Sequence, residues 1–470
     1  MLFNSYPFLV FIIVVFFLYY IPLFKNFQVS VLIVASLFFY AYSEPYLLLL
    51  LLGSISINIW SSYYIVYGKK KYQKLYAVLG VSLNLSLLLF FKYSPLVGDL
   101  ISPFAGDVGS FLLQIPLPIG ISFFTFQGIS LVVDVYRGRV VDNGAIVGAS
   151  LFQHAKKTIF FKAFFPQLVA GPIVKAHDFY PQIKVKLFSE INWEKCFKTI
   201  ILGFFLKAVV ADNLKEFSFW ISYPYFEIYS STNLAFLLLG YSFQIFADFS
   251  GYSLIAIGLA KLFGYDFFDN FNFPYISSSF KDFWKRWHIS LSSFLMEYLY
   301  VPLGGNKKGK IRTYINLMLV MVLGGLWHGA TLSYAVWGAY HGLLLVIERF
   351  TFSYIKEIKN IFYVIFKMLL VFTLVTFGWL LFKLPDFDHV ISFMDCLFTG
   401  KGSFTNTRMI AYIIIYGSFV VIYHLGYLLE QKNEKVKEFN SKYSFVFYAV
   451  MLFLIITNSG SSGAFIYFQF

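Results

Sequence analysis

The imidazole of histidine takes up and returns a proton near neutral pH without help from its surroundings. This sequence sets two of them directly after tryptophan. His288 lies in KDFWKRWHISLSSFLMEYLYVPLGG and His328 in MVLGGLWHGATLSYAVWGAYHG. Both stand in apolar company, where an ionisable group is costly and usually marks a site or a pathway. The chemistry this points to is proton transfer inside a bilayer. A lone intramembrane histidine is also a common packing residue that caps a carbonyl. Two features favour chemistry: the tryptophan beside each ring, and the Gly-rich or basic segments that break the helical pattern next to them. A metal set of His288, His328 and His341 fits less well. Thirteen residues separate 328 from 341, which puts them on different faces of one straight helix, and no metal is expected.

The elements that must position these rings read as membrane helices. Hydrophobic residues make up 59% of the 470, and only 13% are charged, about half of what a soluble domain carries. Mean hydropathy is +0.70. Continuous apolar runs recur from end to end, without the period-two alternation of a β-barrel. The expected class is therefore all-α, a polytopic helical membrane protein. Candidate spans are 8–24, 27–42, 46–67, 75–91, 117–136, 196–212, 232–248, 249–264, 313–328, 330–348, 361–382, 409–429 and 444–459. The run 8–24 reads as a first span rather than a signal peptide, since it lacks a basic start and a small-residue cleavage site. The net charge of +13 sits between apolar runs, as basic loops beside anionic lipid would require, and argues against a nucleic-acid partner. Two cysteines, Cys196 and Cys396, support neither a disulfide framework nor a zinc site.

Lysines set the orientation. Lys25, the cluster Lys69–Lys71 with Lys74, the loop 304–312 and the stretch 430–442 are expected inside, and Ser43-Glu44-Pro45 outside. The last span then carries the C-terminus out. Three segments interrupt the spans. Residues 149–182 hold Pro166 and Pro172, through which no helix runs smoothly, and read as a re-entrant or interfacial wall. Residues 271–275 break the chain before the first His segment. Stretch 281–300 puts Phe283, Trp287, Leu291, Phe294, Leu295 and Tyr298 on one face, as an interfacial helix would. Gln127, Asp134, Tyr136, Arg137, Gln167, Gln244, Asp248 and Asn272 are expected to bond helix to helix or to line a pore.

The motifs FPQLVAGPI (165–173), FWKRWHISLS (283–292), YVPLGGN (300–306) and LWHGA (326–330), with PIGISF (118–123) and ADFSGY (247–252), resemble the membrane-bound O-acyltransferase (MBOAT) family. The likeness covers nearly the whole chain. It is to the bacterial branch that O-acetylates alginate, peptidoglycan and cellulose, with the teichoic acid D-alanylation transporter as a cousin. The resemblance implies an MBOAT fold over 1–470, with re-entrant and interfacial helices around a central pore, in the bacterial cytoplasmic (inner) membrane. By the same resemblance, His328 matches the family's essential histidine and His288 the second polar position of the site. Such proteins take an acyl group from a cytoplasmic thioester, here acetyl-CoA as co-substrate. They pass it to an extracytoplasmic acceptor for O-acetylation of a cell-envelope polysaccharide. A thioester carbonyl needs a nucleophile, a base and an oxyanion donor. His328 is the candidate base and His288 the candidate positioning or oxyanion group. Lys281, Lys285, Arg286, Lys307, Lys308 and Lys310 are candidates to attract the donor's phosphates, or are ordinary positive-inside charge.

Residues 459–470 read as a flexible extracytoplasmic tail ending in Phe465-Ile466-Tyr467-Phe468-Gln469-Phe470. Composition alone favours an interfacial aromatic anchor. The hexapeptide also resembles the C-terminal motif of a small component of teichoic acid D-alanylation, whose tyrosine is thought to bear the acyl group. That resemblance makes Tyr467 a candidate acyl carrier, and its phenol pKa of about 10 calls for a nearby base. No Ser-hydrolase motif is present, so an SGNH-type or AlgX-like partner outside is expected to make the final transfer. Lys-, Ile-, Asn- and Phe-rich usage mildly favours peptidoglycan or another envelope glycan over alginate. The rival readings are a non-enzymatic export channel, which needs no base, and a scaffold subunit with structural histidines.

Overall fold

A computed structural model describes residues 1, 3–42, 44–139, 150–168, 171–352, 360–461, 463 and 465. Tyr467 and the rest of the final hexapeptide after Phe465 lie outside the described residues, as do Ser43 and part of FPQLVAGPI. Among the described residues there is no strand, only an isolated bridge between Tyr229 and Phe404. This is the all-α architecture that the apolar runs require. The chain forms two compact units, Met1–Ile200 with Ile255–Phe268, and Ile201–Leu254 with Asp269–Phe470. Large apolar side chains stand exposed in each, Leu49 at 73% and Leu23 at 78% in the first, Phe362 at 78% and Ile456 at 76% in the second. Water would not tolerate such surfaces, and lipid does.

Among the described residues, six helices are long and apolar enough to cross a membrane: Pro22–Ala41, Leu47–Tyr67, Lys70–Ile101, Ser231–Leu262, Ile361–Lys383 and Thr407–Lys432. A seventh is added if the pair Glu434–Lys442 and Ser444–Thr457, bent by 57°, counts as one span. Of the thirteen candidate windows, some of them expected to be re-entrant or interfacial, several do not form helices of spanning length. Runs 8–24 and 117–136 become helices of only 15 and 16 residues. Runs 232–248 and 249–264 are one helix, Ser231–Leu262. Asp248, where the first of these runs ends, is bonded within the second unit, and the helix continues through it.

In the first unit, packing is polar at its centre. Asn58 and Asn84 exchange amide hydrogen bonds of 3.1 and 3.0 Å, both fully buried. Gly128 faces them, and a Cβ there would lie 2.6 Å from the Asn58 amide. Three helices therefore meet at glycine-sized separation, a packing mode suited to lipid, where there is no hydrophobic drive between helices. The wall segment is broken as its prolines demand. Ser150 caps Leu151–Ala163, the helix stops at Phe164, and only a single turn, Phe165–Leu168, follows. Phe160 to Phe165 and Leu168 are fully buried, so the broken backbone is enclosed by protein. Asp134 meets His177 at 2.8 Å, a structural bond rather than an open lining.

Candidate active site

The first Trp-His pair sits on a turn, not on a continuous interfacial helix. Ser279 caps Phe280–Arg286 by accepting from the Asp282 N–H at 3.0 Å. The helix ends at Trp287, which is extended, and His288 takes φ +43°, ψ +55° before Ile289–Leu295 begins. A left-handed non-glycine residue is costly and persists only where its surroundings hold it. Asn270 is what holds it. Its Oδ1 accepts from the Ser290 N–H at 3.2 Å and the Ser290 hydroxyl at 2.8 Å, and lies 3.2 Å from His288 Nδ1. Its carbonyl accepts from the Ile289 N–H at 2.9 Å, and its amide donates to Ser253 Oγ at 3.2 Å.

This clamp fixes the tautomer. A backbone N–H can only donate, so the Asn270 atom facing Ser290 is the oxygen. That oxygen can only accept, so His288 Nδ1 carries the proton. Nε2 then presents a lone pair, which suits orienting a hydroxyl and does not suit donating to an oxyanion. Burial pushes the imidazole down to about 3, so the ring is neutral at physiological pH. Of the expected apolar face, Phe283, Trp287, Leu291 and Phe294 are buried at 4% exposure or less, while Leu295 and Tyr298 are half-buried.

The second pair ends a helix. Lys310–His328 stops at Gly329, whose Cβ would lie 2.2 Å from the Tyr334 ring. A second helix, Leu332–Phe352, begins three residues later. Cβ atoms at Gly325 and Gly338 would collide with backbone of the facing helix at 2.2 and 2.3 Å. The Gly-rich LWHGA surroundings therefore exist to let two helices touch backbone to backbone and to present His328 at the junction. No helix runs through 329–331, so 328 and 341 do not lie on different faces of one straight helix. Trp337 lies between the two rings, 5.2 Å from His328 and 5.0 Å from His341.

The two Trp-His pairs converge. Trp327 lies 4.8 Å from the His328 ring and 6.2 Å from the His288 ring, and all three residues are buried. Phe249 stands edge-on to His288 at 4.6 Å. Beyond Phe249 lies the C-terminal segment. Phe465, fully buried, is 5.5 Å from Phe249 and 4.5 Å from Tyr252. The segment leading to it is anchored. Gly460 N–H donates to the Ala208 carbonyl at 2.9 Å, and Asn213 donates to the Asn458 carbonyl at 3.0 Å. Cβ atoms at Gly460 and Gly463 would fall 2.6 Å from the Asp212 backbone and 2.4 Å from Lys215 Nζ. Burying one phenyl ring stabilises by about 2 kcal/mol, enough to matter for a short terminal segment.

Near Tyr252 lies a group of which the sequence singled out Asp248 but not Lys207 or Asp212. Lys207, on a π-helical stretch Phe205–Ala211, is bonded to Asp212 at 2.8 Å and Asp248 at 2.6 Å, all nearly inaccessible. Its ammonium is 5.8 Å from the Tyr252 ring. An ionisable residue inside the apolar run 196–212 was the available signal. Asn270 had none, since an asparagine in a loop reads as a turn residue.

The basic candidates are less concentrated. Lys281, Lys285, Lys307, Lys308 and Lys310 are exposed. Arg286 is committed locally, its Nε donating to both Asp282 oxygens at 3.0 Å.

Comparison with known proteins gives the family. Residues 154–385, which include both Trp-His pairs, match the model of MBOAT, the membrane-bound O-acyltransferase family. The chain is 35% identical over 410 residues to the probable alginate O-acetylase AlgI of Pseudomonas aeruginosa, covering 85% of this chain and 75% of that one. It is 36% identical over 387 residues to the peptidoglycan O-acetyltransferase of Helicobacter pylori, covering 77% and 72%. Likeness to the teichoic acid D-alanyltransferase of Bacillus subtilis is 28% over 286 residues, 58% of this chain and 70% of that one. With its membrane helices and this coverage of its relatives, the chain belongs to the membrane-bound O-acyltransferase family and is a multi-pass membrane O-acyltransferase.

Proposed function

We propose that this protein carries acetyl groups across the bacterial cytoplasmic membrane for O-acetylation of a cell-envelope glycan. The donor is acetyl-CoA on the cytoplasmic side, and Tyr467 is the carrier. His328 takes the phenolic proton as the tyrosine oxygen attacks the thioester carbonyl. The C–S bond then breaks, the thiolate leaves with the proton returned by His328, and an aryl acetate remains on Tyr467. His288, with its Nδ1–H tied to Asn270, orients the hydroxyl through Nε2. An SGNH-type partner outside takes the acetyl group from Tyr467 and places it on the polysaccharide. Exposed lysines of 281–285 and 307–310 attract the donor's phosphates.

The observation that carries this reading is the convergence of His288, His328 and the anchored tail. Phe465 is one aromatic ring from His288, and Tyr467 follows it by two residues in the sequence. The alginate and peptidoglycan O-acetylating relatives support acetyl as the group and a glycan as the acceptor. The test is envelope O-acetyl content in cells carrying His328→Ala or Tyr467→Phe, with the amount of membrane-inserted protein measured alongside. Loss of acetylation at normal protein level supports the relay. Acetylation that persists in both variants refutes it.

A further inference from the structure

His341 is fully buried, and neither ring nitrogen meets a hydrogen-bond partner among the described residues. Aromatic rings wall it in: Trp337 at 5.0 Å, Trp284 at 5.2 Å, Tyr340 at 5.4 Å, and Phe283 and Trp379 at 6.4 Å. Gly378 closes another side, where a Cβ would fall 2.8 Å from His341 Nε2. The indole nitrogens of Trp284 and Trp337 are buried beside it and are also without partners. Folded proteins leave few buried polar atoms unmet, and four in one place call for an explanation.

Their chemistry defines what would satisfy them. Each indole nitrogen only donates, and a neutral imidazole adds one donor and one acceptor. Three donors against one acceptor match a neutral chain of carbonyl groups with an occasional N–H, such as a chain of amides ending in a thioester. Aromatic walls suit the methylenes between them. The cluster also links exposed lysines to His328. Trp284 shares a helix with exposed Lys281 and Lys285, and Trp337 separates His341 from His328 by one ring.

We propose that Trp284, Trp337 and His341 bind the amide-bearing arm of the acyl donor, with His341 as a positioning residue that sets the thioester against His328. This rests on the reading that a thioester donor reaches His328. The test is thiol release in the first turnover of the purified full-length protein, with KM and kcat read as the half-saturating concentration and limiting rate of that turnover, using acetyl-CoA, acetyl-pantetheine and S-acetyl-N-acetylcysteamine. Trp284→Phe and Trp337→Phe keep a ring and delete one donor each. Each is expected to raise KM for acetyl-pantetheine about fivefold, with the smaller effect on kcat for W284F, the residue further from His328. His341→Phe is expected to raise it more, and His341→Gln, which restores a donor and an acceptor, to recover much of the loss. The penalty shrinks for the single-amide donor. If wild type turns over while all variants keep its KM, the cluster is packing or holds water only, and the inference is overturned. If wild type releases no thiol from any thioester, the donor reading itself fails and takes this inference with it. Should H341F not fold, the two conservative tryptophan variants still decide the matter.

Discussion

His288 is held in a backbone conformation it would not choose, and the holding residue is Asn270. Replacing Asn270 with Ala leaves the buried Ser290 N–H and the imidazole without their common acceptor. We expect about 1–3 kcal/mol of lost stability, read as a lower thermal unfolding midpoint in detergent, together with loss of transfer. His288→Asn separates the two effects. Asparagine tolerates the left-handed region, so this variant is expected to fold and fail in transfer. The pH dependence has a definite sign. The unfolded chain takes up a proton near 6.5 and the folded ring only near about 3, so protons favour the unfolded chain between those values. The ring's contribution is full above about pH 6.5 and is lost as pH falls. Between about pH 7 and about pH 5 the loss approaches 2 kcal/mol, and H288N is expected to be less acid-sensitive than wild type. The two histidines were legible as candidates in sequence, because imidazole beside tryptophan in an apolar run is rare. The tautomer was not, since it depends on Asn270, eighteen residues away and unremarkable in composition.

At the scale of elements, one long helix carries much of the site. Ser231–Leu262 passes through Asp248 and Gly251 because Lys207 answers the carboxylate and because Gly251 leaves room for a crossing chain. A Cβ at Gly251 would fall 2.8 Å from the Gly203 carbonyl oxygen. Hydropathy divides this helix into two adjoining spans at 248/249, and only the partner on the neighbouring helix corrects it. Lys207→Met strands two buried carboxylates and is expected to cost roughly 3–5 kcal/mol. Combining it with Asp212→Asn and Asp248→Asn is expected to recover part of that, again by thermal unfolding. The tail is an element too. Gly460→Val places a branched side chain against the Asp212 backbone. It is expected to undock the segment, expose it to added protease and abolish transfer, while leaving the helices folded. Composition foresaw a Gly/Ser connector here, but the tight fit that makes glycine necessary at 460 is visible only against the backbone of residues 212–213.

At the scale of the whole molecule, the membrane class was plain in composition, and the number of spans was not. Hydropathy counts apolar runs, whereas the chain uses some of them as short helices, as in Tyr6–Tyr20 and Ile121–Tyr136, and joins two others into one. The charge-derived orientation is testable on a nearly cysteine-free background, since Cys196 and Cys396 are both buried. Cysteine placed at Lys308 is expected to react with an impermeant maleimide only after the cytoplasm is opened, and at Pro45 in intact cells. The reverse pattern would put donor and tail on the wrong sides. The central claim, that the tail bears the acetyl group in transit, is tested most directly by mass spectrometry of the C-terminal peptide from protein incubated with acetyl-CoA and no acceptor partner. We predict a gain of one acetyl group on Tyr467 that is absent in His328→Ala. An unmodified tail, in protein that still releases coenzyme A and acetylates the glycan when the partner is added, would contradict it.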